Sequence, residues 1–261
     1  MKVEVNGIEL AYDILGQTGH PLVLIHGFGL DHTIWMDMAS KYLRNHRVIL
    51  PDVRGHGSSD APEGVYKMSL LAKDIAHLLE YLGINKASIC GHSMGGYITL
   101  AFAENYPERL AGLGLISSRS NSDSKEKKEG RYQMVEAVQK RGSIALAESL
   151  SPRLTDNETL IRKAYDLIVQ TPPLGIIGAS KGMAERPDRT SLLSRITVPA
   201  LVVAGKDDQI IDLDDARKMA HVLPRGKFLA ISGVGHMPMT EAPAALAKGL
   251  NNLISRVKGM N

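Results

Sequence analysis

Ser93 stands at the centre of Gly91-His92-Ser93-Met94-Gly95, between an apolar run reaching Cys90 and a helical pattern that follows two glycines. A serine hydroxyl is a poor nucleophile until a neighbouring base takes its proton, and that base needs a third group to orient it. Two later stretches offer such groups. Asp207 and Asp208 follow Gly205 at the end of an apolar run, and His236 follows Gly233-Val234-Gly235. The chain order serine, acid, histidine suits acyl transfer on an open α/β sheet, where reactive groups gather at the carboxyl ends of strands.

The serine must be held at an apex. Ala87 and Ile89 mark a strand before it, and Ile98, Leu100, Ala101 and Phe102 mark a helix after it, which Pro107 stops. Strand, sharp turn and helix would lift the hydroxyl clear of its own backbone, at a strain of about 1–3 kcal/mol. Gly91 and Gly95 remove side chains that would clash across so tight a turn. The same pattern recurs at Gly178-Ala179-Ser180-Lys181-Gly182, but Pro172, Pro173, Gly175 and Pro187 interrupt its surroundings, so Ser180 is expected in a turn. Cys90 lies on the strand side of the Ser93 turn and reads as a small buried residue. His26, His56 and His92 precede Ser93 and suit other roles. His20, His32, His46, His77 and His221 read as surface or helix-face residues.

Residues 2–5 and 9–15 alternate as a hairpin around Asn6-Gly7. Residues 22–29 form an apolar run ending in glycines, as a strand buried on both faces does. The Gly27-Phe28-Gly29 that ends it lacks the third glycine of a dinucleotide site, His32 standing in its place. A short helix over 35–43, a strand over 47–50, a polar loop over 52–59 and a helix closed by Gly83 come next. A strand is expected over 110–116. Strand and helix alternate throughout, which predicts an α/β fold with a mostly parallel central sheet. The rhythm breaks at Ser117: residues 118–190 carry helical stretches at 131–140, 144–150 and 158–169 and no convincing strand. They are expected to form a helical cap inserted into one core built of 1–117 and 191–261. Alternation resumes with a strand to Gly205, a helix near Asp212 with Asp215 placed as in a capping box, a strand over 227–232 and a last helix opened by Pro243.

The 261 residues include 31 Lys and Arg against 28 Asp and Glu, a net charge of +3. The signs are interspersed; the densest basic run, 125–131, contains Glu126 and Glu129 and reads as a solvated helix face, not a nucleic-acid surface. No apolar stretch is long enough for a membrane span, no signal peptide is visible, and a single cysteine fits a reducing cytoplasm. No metal-binding pattern is present. Asp52 and Arg54 are expected to pair with each other and with the backbone.

Five stretches in register resemble the α/β-hydrolase superfamily over essentially the whole chain. They are His26-Gly27-Phe28-Gly29, the loop 52–59, Gly91-His92-Ser93-Met94-Gly95-Gly96, Gly205-Lys206-Asp207-Asp208 and Gly233-Val234-Gly235-His236. Within it the chain looks most like small capped bacterial esterases, enol-lactonases and cofactor-free haloperoxidase-type enzymes. The resemblance implies Ser93 as nucleophile, His236 as base, and Asp208 rather than Asp207 as the orienting acid, three residues after the glycine. It also implies an oxyanion hole of the Phe28 and Met94 backbone N–H groups, with no cofactor or metal. Ser93 argues against dehalogenases and epoxide hydrolases, which carry aspartate there. Met237 stands where carbon–carbon bond hydrolases often have Trp, and Asp212 where many relatives have Pro shortly after the acid.

The expected reaction is hydrolysis of a small-molecule carboxylic ester or lactone through an acyl-enzyme. The same triad could pass the acyl group to hydrogen peroxide, cleave a carbon–carbon bond, or serve a non-catalytic ligand receptor. Trp35, Met36, Met134 and Met183 are candidates for the apolar lining of the pocket, with ordinary core packing as their alternative. The sequence leaves the identity of the ester and the oligomeric state open.

Overall fold

The computed structural model describes residues 1–259. Eight strands form one sheet: β1 (Lys2–Val5), β2 (Ile8–Leu15), β3 (Pro21–Ile25), β4 (Arg47–Pro51), β5 (Ala87–His92), β6 (Leu110–Ile116), β7 (Ala200–Gly205) and β8 (Gly226–Ile231). Their spatial order is β1-β2-β4-β3-β5-β6-β7-β8. β1 and β2 pair antiparallel around Asn6-Gly7, β2 pairs antiparallel with β4, and every other pairing is parallel. β5 lies near the middle of the sheet with all six residues buried, so they show no alternation of apolar and polar faces.

Helices α1 (Met36–Tyr42), α2 (Met68–Tyr81), α3 (Met94–Asn105), α8 (Leu213–Val222) and α10 (Pro243–Lys258) accompany the strands. α3 is buried over most of its length, which explains why Tyr97 to Ala103 is nearly free of charge. Between β6 and β7 come α4 (Lys125–Arg141), α5 (Ile144–Leu150), α6 (Glu158–Gln170) and α7 (Pro173–Ala184). A four-residue helix, α9 (Pro238–Glu241), follows His236. Among the described residues no helix is long and apolar enough to cross a membrane.

Several local expectations change. The expected helix over 35–43 is a 3₁₀ turn, His32–Trp35, followed by α1. The strand expected over 22–29 stops at Ile25, because the next residues must turn towards the site. Ser180 lies inside α7, not in a turn: Pro172 and Pro173 begin that helix instead of breaking it, since its first residues need no intrahelical donor. Asp212 caps α8 by accepting from the Asp214 and Asp215 N–H groups, while Asp215 pairs with Lys218, so the reciprocal half of the capping box is not formed.

Candidate active site

Ser93 joins β5 to α3 at φ 52° and ψ −113°, a left-handed conformation that serine rarely adopts. Its surroundings enforce it. The Ser93 N–H donates to Ile116 O at 2.9 Å, and Ser93 O accepts from the Ser118 hydroxyl at 2.8 Å and from Gly96 N at 3.0 Å. A Cβ on Gly91 would lie 2.0 Å from Gly95 O, and one on Gly95 would lie 2.5 Å from Ile25 O. Only glycine closes this turn. Ser93 makes no capping hydrogen bond to α3, so its hydroxyl is not committed to the helix.

His236 lies in the loop after β8 and Asp208 in the loop after β7. His236 Nδ1 is 2.8 Å from Asp208 Oδ2 and 3.0 Å from Oδ1, with both side chains buried. An ionised carboxylate only accepts, so Nδ1 carries the proton and Nε2 keeps its lone pair. Burial alone would raise the Asp208 pKa. The His236 hydrogen bond and charge, with the Ile210 and Ile211 N–H groups donating at 2.8 and 3.0 Å, hold it below the ordinary carboxylate value instead. Asp207 is exposed, and its N–H bonds Val234 O.

The His236 loop is clamped by His92 and by Glu241, Thr155 and Leu154, which no sequence motif marks. Glu241 accepts from Gly235 N at 3.1 Å, Met237 N at 2.9 Å and the Thr155 hydroxyl at 2.7 Å. The His236 N–H donates to Leu154 O at 2.9 Å, and His236 O accepts from His92 Nε2 at 2.8 Å. His92 is fully buried, and its pKa is lowered to about 3, first by burial and then by His236. It stays neutral and positions the loop.

His26 does comparable work on the opposite side. Its Nε2 accepts from Val53 N at 3.0 Å, so its Nδ1 donates to Gly27 O at 2.8 Å. Gly27 C=O and Phe28 N–H belong to one planar trans peptide and point in opposite directions, so this bond fixes where the Phe28 N–H aims. Met94 is the first residue of α3 and has no intrahelical acceptor for its N–H. Neither N–H meets an acceptor among the described residues.

A cavity of about 370 Å³ is lined by Ser93, His236, Phe28, Met134 and Met183 together with residues of α4, α5 and α7. Trp35 is a correction: it is wholly buried, edge-on to His92 with ring centroids 6.4 Å apart, and does not line this cavity. Met36 packs partly buried against the core, also away from it. Residues 125–130 are exposed, as the sequence suggested, and Lys127 and Arg131 on that stretch also line the cavity. Ser180 lies in its wall, buried and without a hydrogen-bond partner among the described residues. A larger cavity of about 700 Å³, beside α1 and α6, contains none of Ser93, His236 or Asp208.

The loop after β4 is also rearranged. Arg54 pairs with Asp74 at 2.8 Å, not with Asp52. Asp52 accepts from His32 Nδ1 at 2.7 Å, His32 N at 2.9 Å and Ser58 N at 2.9 Å. Its carboxylate is held below its ordinary pKa: burial opposes this, and the His32 hydrogen bond leads the groups that achieve it. His32 is raised, chiefly by that same bond. Asp31, His32 and Asp52 thus come close enough to share an ion. However, His32 and Asp52 already bond each other, and Asp31 accepts from the Thr33 N–H and hydroxyl, so hydrogen bonds account for the cluster. Burial pushes the Cys90 thiol up, which leaves it unreactive.

The alpha/beta hydrolase fold family matches residues 20–243. The chain is 25% identical to 3-oxoadipate enol-lactonase 2 of Acinetobacter baylyi over 256 residues, covering 95% of this chain and 94% of that protein. Among solved structures, a thermophilic esterase from Thermogutta terrifontis, with malate bound, superposes with a TM-score of 0.94 at 38% identity, covering 98% of this chain and 99% of that one. An enol-lactonase from Burkholderia xenovorans LB400 superposes with a TM-score of 0.90 at 26% identity, covering 98% of this chain and all of the other.

Proposed function

Because the chain belongs to the alpha/beta hydrolase fold family, we propose that it hydrolyses a small-molecule carboxylic ester or lactone through an acyl-enzyme on Ser93. One observation carries this reading: a serine held at φ 52° shares a cavity with a histidine whose other ring nitrogen is bonded to a buried carboxylate. The enol-lactonase and esterase names of similar proteins support the ester or lactone as substrate class.

In this mechanism His236 Nε2 takes the Ser93 proton as Oγ attacks the carbonyl carbon. Asp208 keeps Nδ1 protonated and stabilises the imidazolium that forms. Phe28 and Met94 N–H groups donate to the developing oxyanion, each worth about 10²–10³ in turnover. His236 returns its proton to the departing alkoxide, and the acyl–Oγ ester remains. Water then attacks that ester, giving its proton to His236; the carboxylic acid leaves and Ser93 Oγ recovers the proton. Residues 118–190 act in this reading as a cap that sets substrate size. No metal or cofactor takes part in it. Action in the cytoplasm belongs to the same reading, supported by a single, buried cysteine.

A fluorophosphonate probe should label Ser93, and Ser93→Ala should abolish both labelling and ester hydrolysis. Peptide mapping of the label to Ser180 would overturn the assignment.

A further inference from the structure

Four cationic side chains line the cavity that holds Ser93 and His236: Arg119, Lys127, Arg131 and Arg153. They arrive from three places in the chain. Lys127, Gly130, Arg131 and Met134 fall at i, i+3, i+4 and i+7 on α4, so one helix face presents two cations and one apolar group to the cavity. Arg119 comes from the loop after β6, and Arg153 ends a short 3₁₀ turn, Ser151–Arg153, after α5.

The carboxylates nearby are already matched. Asp123, the acid in the cavity wall, pairs with Arg131 at 3.1 Å and with the buried Arg186 at 2.9 Å. Asp208 is engaged by His236. Arg119 donates to Ile210 O and has no carboxylate partner among the described residues; neither do Lys127 and Arg153. Partial burial, followed by the charge of Arg119, lowers the Lys127 pKa, Arg186 and Arg131 adding to this and Asp123 opposing it. Positive groups have thus been brought together against their mutual repulsion, and the one carboxylate in the wall, Asp123, is already matched by Arg131 and Arg186. Leu146, Leu150, Met134 and Met183 fill the wall between them, and the volume of about 370 Å³ limits the occupant to a small molecule.

Building on the hydrolase reading above, we propose that the natural substrate is a short ester or lactone bearing a carboxylate away from the scissile carbonyl. Arg119, Lys127 and Arg153 receive that carboxylate while the apolar wall takes the chain between the two groups. The buried Ser180 hydroxyl is a further donor in the same wall. A neutral ester of equal size would leave the cations solvated and unengaged.

Two measurements test this. The first compares kcat/KM for 4-nitrophenyl hydrogen glutarate with that for its neutral methyl ester. The ratio cancels any general loss of fold or nucleophile. We expect the anionic substrate to be favoured by at least about tenfold, and the preference to collapse towards unity in Lys127→Gln/Arg153→Gln, whose side chains are exposed and make no internal bond, and in Arg119→Gln. It should also shrink between about 20 mM and about 300 mM salt. A ratio of one or below in the native protein, or one that survives all these substitutions, overturns the proposal.

The second measurement needs no turnover. Calorimetric titration of Ser93→Ala with glutarate should show binding that Arg119→Gln weakens by about tenfold. Absence of binding, or tighter binding of inorganic phosphate, overturns the carboxylate assignment. Neutral esters cleaved without glutarate binding would leave the hydrolase reading standing and remove this one. Glutarate bound without cleavage of either ester would keep the carboxylate site but overturn the hydrolase reading, and with it the ester as its ligand.

Discussion

A Cβ on Gly91 would meet the Gly95 carbonyl oxygen at 2.0 Å, and one on Gly182 would meet the Tyr66 carbonyl oxygen at 1.8 Å. The two glycines flank serines in the same five-residue pattern, yet they solve different problems. At Gly91 the crowding is between neighbours in sequence, because the chain folds sharply on itself and holds the serine at φ 52°, while the end of β3 presses on Gly95 from the other side. Around Ser180 the crowding comes from a distant segment: Tyr66 N donates to Gly178 O at 3.0 Å, and the glycines of α7 let that backbone dock on the helix. Ser93 is backed by a histidine and an acid, whereas Ser180 has a buried hydroxyl with no partner among the described residues. Glycine spacing therefore reports close approach, and only the flanking elements say what is approaching.

The largest effect should come from making the Ser93 site chemically resemble the Ser180 one. Asp208→Asn removes the acceptor that fixes the His236 tautomer, and turnover should fall by up to about 10⁴. Asp207→Asn, at an exposed position, should change it little. Steady-state assays of both variants on one ester decide this. A crippled Asp207→Asn beside an active Asp208→Asn would move the acid by one residue.

The glycines sharpen the contrast further. Gly91→Ala and Gly182→Ala should each destabilise by about 1–3 kcal/mol or more, since backbone atoms would have to give way. Their consequences should differ. Gly182→Ala protein that remains folded should still label with fluorophosphonate, whereas Gly91→Ala should lose labelling even where urea melts show folded protein. Equal labelling of both would mean that the turn tolerates a side chain.

The smallest effect concerns acid. Burial lowers His92 and His56 to about 3 and His20 to about 4, each from 6.5. A group depressed in the folded state contributes stability above its unfolded pKa and loses it as pH falls towards the folded value. Asp208 and Asp52 act in the same direction at lower pH, whereas His32, which is raised, contributes on the acid side and loses that contribution as pH rises. Burial also lowers His26, and four depressed histidines against one raised predict declining stability from pH 6.5 to pH 4.5. In His92→Gln, where an amide can still donate to His236 O, the decline should be shallower. Urea melts at about pH 7, 6 and 5 measure it; identical midpoints would show that these rings do not stay neutral.

What could be read from sequence was local. The β5–turn–α3 unit and the Asn6-Gly7 hairpin depend on residues adjacent in the chain, and hydrophobic runs mark their strands. The loops carrying Asp208 and His236 were recognisable from short glycine-led motifs. What could not be read depends on contacts made after the chain collapses. Pro172 and Pro173 look like breakers until the helix they begin is seen to carry Tyr66 against its glycines. Lys127 and Arg131 have the composition of a solvated face, and nothing in their spacing says that this face also borders the cavity. Asp52 pairs with His32, twenty positions earlier, and Arg54 with Asp74, where proximity in sequence suggested that the two would pair with each other. Glu241 carried no signal because it supports the histidine loop through backbone donors, which any sequence has.

The hydrogen bond from His236 N to Leu154 O has a consequence for how such enzymes diversify. Leu154 belongs to the stretch between β6 and β7, and through it that stretch supports the backbone of the base itself, with Thr155 bonded to Glu241 beside it. The stretch is thus not an accessory that can be exchanged freely to change specificity. A chimera carrying another protein's helices there must also bring a carbonyl to this point and a hydroxyl next to it. Recombination there is constrained at these two atoms, as it is where Gly178 O accepts from Tyr66 N and where the Thr171 hydroxyl donates to Gly29 O.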